Sequence, residues 1–304
     1  HPSKISTMSL VQDLEDEGRD TTEESGLQGK YIGGKWGGKY LKAPDIFLKI
    51  IEKLKGKSSL LSDLSEIKFG LKTGCNEFFY LNAEQIEKSE LPNDYIKPAI
   101  LKTNEIKKIS LSNFTPKGYF FFCDKEKAKI SSQRVQEHIR FGENAKIEIK
   151  QGKNKGTIIT GYQNISSLKN RNIWYSLPKR TPPPLIWIIA HNERHLTFKN
   201  FGFIPADNFF EIYPKNDASA NHLATILNSA YICLFKELYG RTNFGGGLLK
   251  TQKPDLQRFW VLHPNKDITN VLSKELAERN VLSVFDEYGI NPKSDTPIEE
   301  QEPQ

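Results

Sequence analysis

The sequence predicts a mixed α+β fold in which helices pack against a mixed sheet. Two segments place apolar residues three and four positions apart, which is typical of helices that bury one face. Short runs of aromatic and β-branched residues lie between them and are typical of buried strands. The sequence has no repeat of fixed period, which argues against a solenoid or a propeller. A chain of 304 residues is long enough for one large domain or two small ones.

The first predicted helix spans residues 44–56. Pro44 suits the first turn of a helix, and Gly56 suits the residue that ends one. The apolar residues that should form its buried stripe are Ile46, Phe47, Ile50, Ile51 and Leu54.

Residues 60–81 predict two strands joined by a turn between Gly70 and Gly74, that is, a β-hairpin. The turn carries Lys72, Thr73 and Asn76, whose side chains can bond phosphate oxygens or base edges. A plain turn without any binding role is an equally good interpretation of this segment.

The remaining elements alternate along the chain. Helices are predicted at 83–90, 125–141, 217–238 and near 267–288, and strands at 117–123, 185–190, 194–199 and 208–213. Gly240 stands where a left-handed residue would end the 217–238 helix. The lysine-rich segment 143–156 predicts a disordered or DNA-facing loop.

A glycine-rich loop follows the 217–238 helix. Its three consecutive glycines, 245–247, carry no side chains, so another surface can approach the backbone there. The flanking residues that offer charge, amide or ring are Arg241, Asn243, Phe244 and Lys250. Taken alone, the loop favours a mobile surface segment without a binding role.

Charge is distributed unevenly along the chain. The net charge is +6, but residues 31–264 hold 36 basic and 21 acidic side chains, a net charge of +15, between two acidic ends. Such a basic body favours polyanions, above all nucleic acid. No apolar run approaches the roughly 20 residues that span a membrane. Three widely spaced cysteines predict reduced thiols and a cytoplasmic location.

Several enzyme motifs are absent or incomplete in the sequence. The segment from His191 to His195 has its carboxylate in the middle, which matches neither HExxH nor its inversion. The sequence contains no GxxxxGK[ST] loop, no GxSxG elbow and no paired Cys/His metal spacing. A nuclease-like Glu-x-Lys occurs at Glu148–Lys150, but two further copies elsewhere indicate chance. No catalytic residue and no metal ligand is predicted.

A series of blocks in fixed order is more specific than any single motif. The blocks include GGKWGGKYLKAPDIF, IKFGLKTGCNEFFYL, RNIWYSLPKRTPPPLIW, RHLTFK, DNFFEIYP, LNSAYICLFKELYGRTNFGGGLLK and DLQRFWVLHP. This series resembles the C-terminal specificity region of TaqI-like adenine-N6 DNA methyltransferases of restriction–modification systems, type I and type IIG among them. The resemblance covers roughly residues 30–265, and residues 143–168 match it poorly.

The resemblance implies a target-recognition domain that grips duplex DNA beside a catalytic domain, which binds S-adenosylmethionine and flips the target adenine. The catalytic signature, Asn/Asp/Ser-Pro-Pro followed by an aromatic residue, is missing, and the nearest string is Thr181–Leu185. The chain itself therefore needs no cofactor, and methyl transfer is expected in a domain upstream of His1. The expected organisation is an acidic linker at 1–30, the recognition domain at 31–265, and a C-terminal helix with a polar tail at 266–304. The resemblance leaves open whether an endonuclease is attached.

Carried over position by position, the resemblance assigns DNA contacts to twelve residues. These are Lys72, Thr73, Asn76, Arg171, Arg180, Arg194, His195, Arg241, Asn243, Phe244, Gly246 and Lys250. Lysines and glycine amides suit phosphates, whereas arginine and asparagine can pair with base edges. Trp174 and Tyr175 fit a core better than a wedge in DNA.

The sequence leaves three functions open. The first is a double-stranded DNA recognition module that works with an upstream methyltransferase domain. The second is a stand-alone metal-dependent nuclease that uses Glu148 and Lys150. The third is a domain that joins subunits without contacting DNA. None of the three calls for a membrane partner.

Overall fold

The computed structural model describes residues 45–149, 155–192, 195–215, 219–241, 248–263 and short parts of the segment beyond 273. Its helices are α1 (Asp45–Leu54), α2 (Leu61–Leu64), α3 (Asn76–Phe79), α4 (Ala83–Ser89), α5 (Gln133–Asn144), α6 (Ala220–Leu227), α7 (Ala230–Tyr239) and α8 (Lys253–Gln257). Its strands are β1 (Ser58–Leu60), β2 (Ser65–Phe69), β3 (Tyr80–Asn82), β4 (Ile96–Ile100), β5 (Gly118–Phe121), β6 (Lys146–Glu148), β7 (Ile158–Thr160), β8 (Leu185–Ile188), β9 (Ala190–His191), β10 (Thr197–Lys199), β11 (Ile204–Pro205), β12 (Phe209–Pro214), β13 (Leu249–Lys250) and β14 (Trp260–Leu262). The predicted α+β class is confirmed. None of the helices within the described residues is long and apolar enough to cross a membrane.

The first sheet is antiparallel and has the strand order β10-β8-β12-β2. Because side chains alternate along a strand, Trp187 and Phe210 face one side, whereas Ile186 and Phe209 face the other. The first side packs against α1, α6 and α7 in one core. The second side forms a smaller core with Ile100 of the second sheet, so the two sheets are joined by apolar contact.

The second sheet has the order β11-β4-β5-β3, with only the β11–β4 pair parallel. Its core is centred on Phe78, whose ring lies 5.6 Å from that of Phe121 and 4.6 Å from that of Trp174. Gly142 of α5 faces the same rings, and a Cβ there would lie 2.6 Å from both Phe78 and Trp174. The absence of a side chain at Gly142 therefore lets α5 approach this aromatic core.

The predicted hairpin at 60–81 is wrong, because its two strands belong to different sheets. β2 pairs with β12 in the first sheet, and β3 pairs with β5 in the second. The chain crosses between them at Gly70, where a Cβ would lie only 2.0 Å from the carbonyl oxygen of Ala206. Gly70 N donates to Phe209 O at 2.9 Å, so the turn is fixed to the β11–β12 connection rather than to a partner strand of its own.

The continuous helix predicted at 217–238 is also wrong, because it breaks between α6 and α7. Asn228 ends α6, and its side chain accepts from Thr197 N at 2.9 Å and donates to Thr197 O at 2.8 Å. The amide thus pairs with β10 as a neighbouring strand would. Ser229 then caps α7. Gly240 is extended, with φ −65°, and not left-handed as predicted. A Cβ at Gly240 would lie 2.6 Å from Leu249, so close packing accounts for this glycine.

The other predicted elements are mostly confirmed. The first helix ends before Gly56, whose φ of +70° is left-handed, although Ile46 is exposed rather than buried. The strands at 117–123, 185–190, 194–199 and 208–213 and the helix at 83–90 are present. The helix predicted at 125–141 begins later, at Gln133, because Ser132 caps it. Cys75, Cys123 and Cys233 are not joined by disulfides.

In the segment 143–156, predicted as a disordered or DNA-facing loop, the described residues form regular structure, and a contact with DNA stays a prediction. Its strand β6 pairs with β7, and Gly156 N donates to Ile149 O at 2.8 Å, so the described part is a hairpin. Residues 150–154 of this segment and most of the helix predicted near 267–288 lie outside the described residues. Val281 is described and packs against the smaller core.

Candidate nucleic-acid interface

The turn after β2 presents Lys72 and Asn76 at the surface, whereas Thr73 is buried. The Thr73 hydroxyl donates to Asn76 Oδ1 at 2.6 Å and accepts from Cys75 N at 3.2 Å. The Thr73 side chain therefore shapes the turn and, being buried, is not presented to DNA in this structure. Lys72 is the cation that the turn carries outward.

Arg171 holds this turn in place from beneath the surface. Its Nη2 donates to Thr73 O at 2.7 Å, its Nη1 donates to Ser176 O at 3.1 Å, and its guanidinium lies over the Phe79 ring. Partial burial lowers the pKa of Arg171. Since both terminal nitrogens are occupied by backbone carbonyls, Arg171 positions the turn in this structure rather than reading a base.

Arg180 has a comparable internal role. Its Nη1 lies 3.0 Å from Oε2 of Glu211, whose side chain is fully buried in the first sheet, while only 24% of the Arg180 side chain is exposed. Burial raises the pKa of Glu211, and the charge of Arg180 opposes that rise. The Tyr213 hydroxyl, which also lies 2.7 Å from Thr181 O, is 3.2 Å from Glu211 Oε2, so these two acceptors share its one proton. Arg180 thus stabilises a buried carboxylate, and its predicted DNA contact stays a prediction.

His195 is buried and not at the DNA surface as predicted. Its ring centre lies 3.7 Å from that of Trp187, and its Nδ1 lies 2.9 Å from Nζ of Lys236. Lys236 is also buried and donates to Ile188 O at 3.2 Å. Burial lowers the pKa of both His195 and Lys236 well below their usual values. This pair is a polar element of the core. Arg194 lies outside the described residues.

The base of the glycine-rich loop is a short ladder. Arg241 and Lys250 exchange two backbone hydrogen bonds, at 2.8 and 3.0 Å, and Lys250 also pairs with Ala190 of β9. Arg241 is exposed and Lys250 is half-buried. Asn243, Phe244 and Gly246 lie outside the described residues. The structure therefore holds the two ends of the loop together, with the Lys250 end beside β9, and the predicted contacts of the loop tip stay predictions.

A cleft of about 600 Å³ lies next to this ladder. Its walls include Lys250 and also Phe69, Asp207, Asn208, Gln252 and Lys253. The sequence analysis assigned none of these five to the site. The signal for Phe69 was available, because an aromatic residue ends an alternating strand directly before Gly70.

Two further hollows lie on the other side of the turn. One contains Lys72 and Arg171, the other contains Arg180, and both reach Leu177. Since Phe69 lines the cleft and Lys72 lines the first hollow, the turn stands between them. Within the described residues, no group of three His, Cys, Asp or Glu side chains is placed to hold a metal ion.

Comparison with known proteins gives one consistent family. A family model described as "Type II methyltransferase M.Eco57I, C-terminal domain" matches residues 33–287. The type II methyltransferase M.AccI of Acinetobacter calcoaceticus is 23% identical over 239 residues, which is 75% of this chain and 40% of that protein. The chain thus spans less than half of this relative's length.

One solved structure has a similar fold. The type IIG restriction endonuclease BpuSI aligns over 79% of this chain and 28% of its own, with a TM-score of 0.56 and 14% identity. The S subunit of a type I restriction–modification system from M. genitalium aligns over 76% of this chain and 39% of its own, with a TM-score of 0.31 and 12% identity. The second score is too low to support an argument.

Proposed function

Because the chain belongs to the family of type II methyltransferase M.Eco57I C-terminal domains, we propose that it is the double-stranded DNA recognition module of a site-specific adenine-N6 methyltransferase. The family match over residues 33–287 is the observation that carries this proposal. The positions of the exposed cations support it. Lys72 projects from a braced turn, and Arg241 stands at the root of the glycine-rich loop. Cations on fixed backbone suit phosphate contacts, which hold a duplex in register.

Our proposal assigns no methyl-transfer step to the described residues. The string nearest to the catalytic signature, Thr181–Leu185, has its carbonyl oxygens engaged elsewhere. Thr181 O accepts from the Tyr213 hydroxyl at 2.7 Å, and Pro183 O accepts from Asn200 Nδ2 at 2.8 Å. These carbonyls tie the string to the first sheet. The methyl donor, S-adenosylmethionine, and the reaction therefore belong in this proposal to an upstream methyltransferase domain of a cytoplasmic parent enzyme.

Salt dependence of duplex binding tests the recognition role. We expect the 304-residue chain to bind duplex DNA, with an affinity that falls as salt rises. Replacing Lys72 or Arg241 by Met should reduce the slope of log K against log salt by about 1 each, since one phosphate contact is lost. Lys88→Met is the matched control, because Lys88 is exposed on α4 and lines neither the cleft nor the hollow that contains Lys72.

Two results would contradict the proposal. An absence of duplex affinity even at low salt, together with firm binding to the methyltransferase domain, would favour the subunit-joining alternative. Cleavage of DNA in Mg²⁺ that disappears in Glu148→Ala would favour the nuclease.

The parent activity needs its own measurement. The longer protein should transfer a labelled methyl group from S-adenosylmethionine to DNA, and the label should be recovered as N6-methyladenine. Recovery on cytosine would contradict the adenine assignment while leaving the DNA-binding role intact.

A further inference from the structure

The cleft beside the loop base contains a fixed aromatic face. Phe69 ends β2 with 54% of its surface exposed. The ring of Phe210 on the neighbouring strand meets it edge-on, with centroids 5.0 Å apart. This contact restrains the Phe69 ring while leaving a face open. An exposed and restrained ring is the kind of platform on which proteins stack unpaired bases.

The contact between Gly70 and Ala206 places acceptor groups next to this ring. Gly70 follows Phe69 and Asp207 follows Ala206, and a Cβ at Gly70 would lie 2.0 Å from Ala206 O. The two chain segments therefore meet as closely as backbones can. Phe209 N donates to Ala206 O at 3.1 Å, which closes the turn that exposes Asp207 and Asn208.

The opposite wall is formed by the segment that returns from the loop. Gln252 adds a second amide, and Lys250 and Lys253 add positive charge. Asp207 is the only acidic residue among the described residues that line the cleft. The volume of about 600 Å³ lies within the range of about 300–1,000 Å³ that small-molecule sites occupy.

We propose that this cleft takes an unstacked DNA base that bears an exocyclic amine, and this inference rests on the proposed DNA-binding function. The base stacks on Phe69 and donates its amine to the Asp207 carboxylate. Its phosphates lie on the side of Lys250 and Lys253, since Asp207 repels them. At neutral pH a carboxylate only accepts hydrogen bonds, so the exocyclic amines of adenine, cytosine and guanine fit this arrangement. Thymine has no such amine, and its only donor, the ring N3–H, lies between two carbonyl oxygens that repel a carboxylate.

Duplexes with a single bulged nucleotide test the proposal, because a bulge supplies an unpaired base without the cost of opening a pair. The probes share identical flanks and carry a bulged adenine, a bulged thymine or no bulge. We expect the adenine bulge to bind about ten-fold more tightly than the paired duplex, as one stacked base allows. The thymine bulge should gain little.

Variants assign the gain to the cleft. Phe69→Ala should abolish the preference for the adenine bulge, and Phe69→Tyr should keep it because the ring is retained. Phe201→Ala is the matched control, since Phe201 is 52% exposed but lies outside the cleft. Asp207→Asn should narrow the difference between adenine and thymine bulges, because an amide can also donate to thymine. Equal thermal midpoints for the variants exclude unfolding as the cause.

Separate outcomes distinguish this inference from the proposed function. Normal binding of the paired duplex with no gain from the adenine bulge overturns the inference alone. A gain that persists in Phe69→Ala, or that equals the gain for thymine, also overturns it. If no duplex binds, saturation-transfer NMR with dAMP and dTMP tests the cleft directly. A preference for dAMP that is lost in Phe69→Ala supports base binding in the cleft. If dAMP is not preferred over dTMP, both proposals are contradicted.

Discussion

Replacing Arg171 by Met tests whether this arginine braces the turn or contacts DNA. The substitution keeps an unbranched apolar stem but removes the guanidinium and its hydrogen bonds to Thr73 O (2.7 Å) and Ser176 O (3.1 Å). A hydrogen bond from a charged group contributes about 1.5–3 kcal/mol. Arg171 is partly exposed, so solvent weakens both bonds, and we expect a total loss of about 2 kcal/mol. For a domain of about 200 residues this lowers the thermal midpoint by roughly 4–8 °C.

Lys72→Met should show the opposite pattern. Lys72 is exposed, so its replacement should change the free energy of unfolding by less than about 0.5 kcal/mol. If Lys72 contacts a phosphate, the salt slope of DNA binding should fall by about 1. One of the two residues thus affects stability and the other affects the slope.

Circular dichroism on heating and fluorescence anisotropy over a salt series measure the two quantities. Arg171→Lys serves as a second variant, because it keeps the charge while losing the paired geometry of the guanidinium. The bracing role is refuted if Arg171→Met leaves the thermal midpoint unchanged, lowers the salt slope by about 1, and Arg171→Lys restores that slope.

Three further predictions concern the cores. Burial lowers the pKa of His138 to about 4 from 6.5, so the folded state binds fewer protons. Stability should therefore fall by roughly 3 kcal/mol as the pH drops from 6.5 to 4, and urea unfolding of His138→Phe should lack this component. Gly142→Ala should lower the free energy of unfolding by about 1–3 kcal/mol, because the added methyl group overpacks against Phe78 and Trp174. An increase in unfolding curves, as higher helix propensity alone predicts, would contradict this. Thr251 is buried, and its hydroxyl has no hydrogen-bond partner among the described residues. Thr251→Val should leave the thermal midpoint unchanged or raise it, and a clear fall would reveal a partner for the hydroxyl.

Local patterns predicted the elements whose cause is local. The stripe of α1 and the left-handed Gly56 follow from spacing and from residue type, and the structure has both. The break between α6 and α7 does not disturb the three-four spacing of apolar residues, so the spacing predicted one continuous helix. Its cause is the pairing of Asn228 with Thr197, 31 residues away. The pairing of the Asn228 side chain with β10 can be recognised only in the folded structure, where β10 lies next to it.

The hairpin failed for a related reason. Glycines at 70 and 74 indicate a turn, and a turn is present. The partner of each flanking strand, however, is decided by β12 and β5, which lie elsewhere in the chain. The role of Gly70 also depends on a distant atom, the carbonyl oxygen of Ala206. Sequence spacing carries no information about either contact.

The arginines show the same limit for the site, and they also indicate how recognition is divided. An arginine in a basic segment suggests a base contact, yet Arg171 binds two carbonyls and Arg180 binds the buried Glu211. Neither can turn to a base without leaving an internal group unpaired, which is costly. In our proposal, exposed cations such as Lys72 therefore supply affinity, and the cleft around Phe69 supplies discrimination. It follows that Asp207→Asn should alter base preference without altering the salt slope, because it removes no phosphate contact.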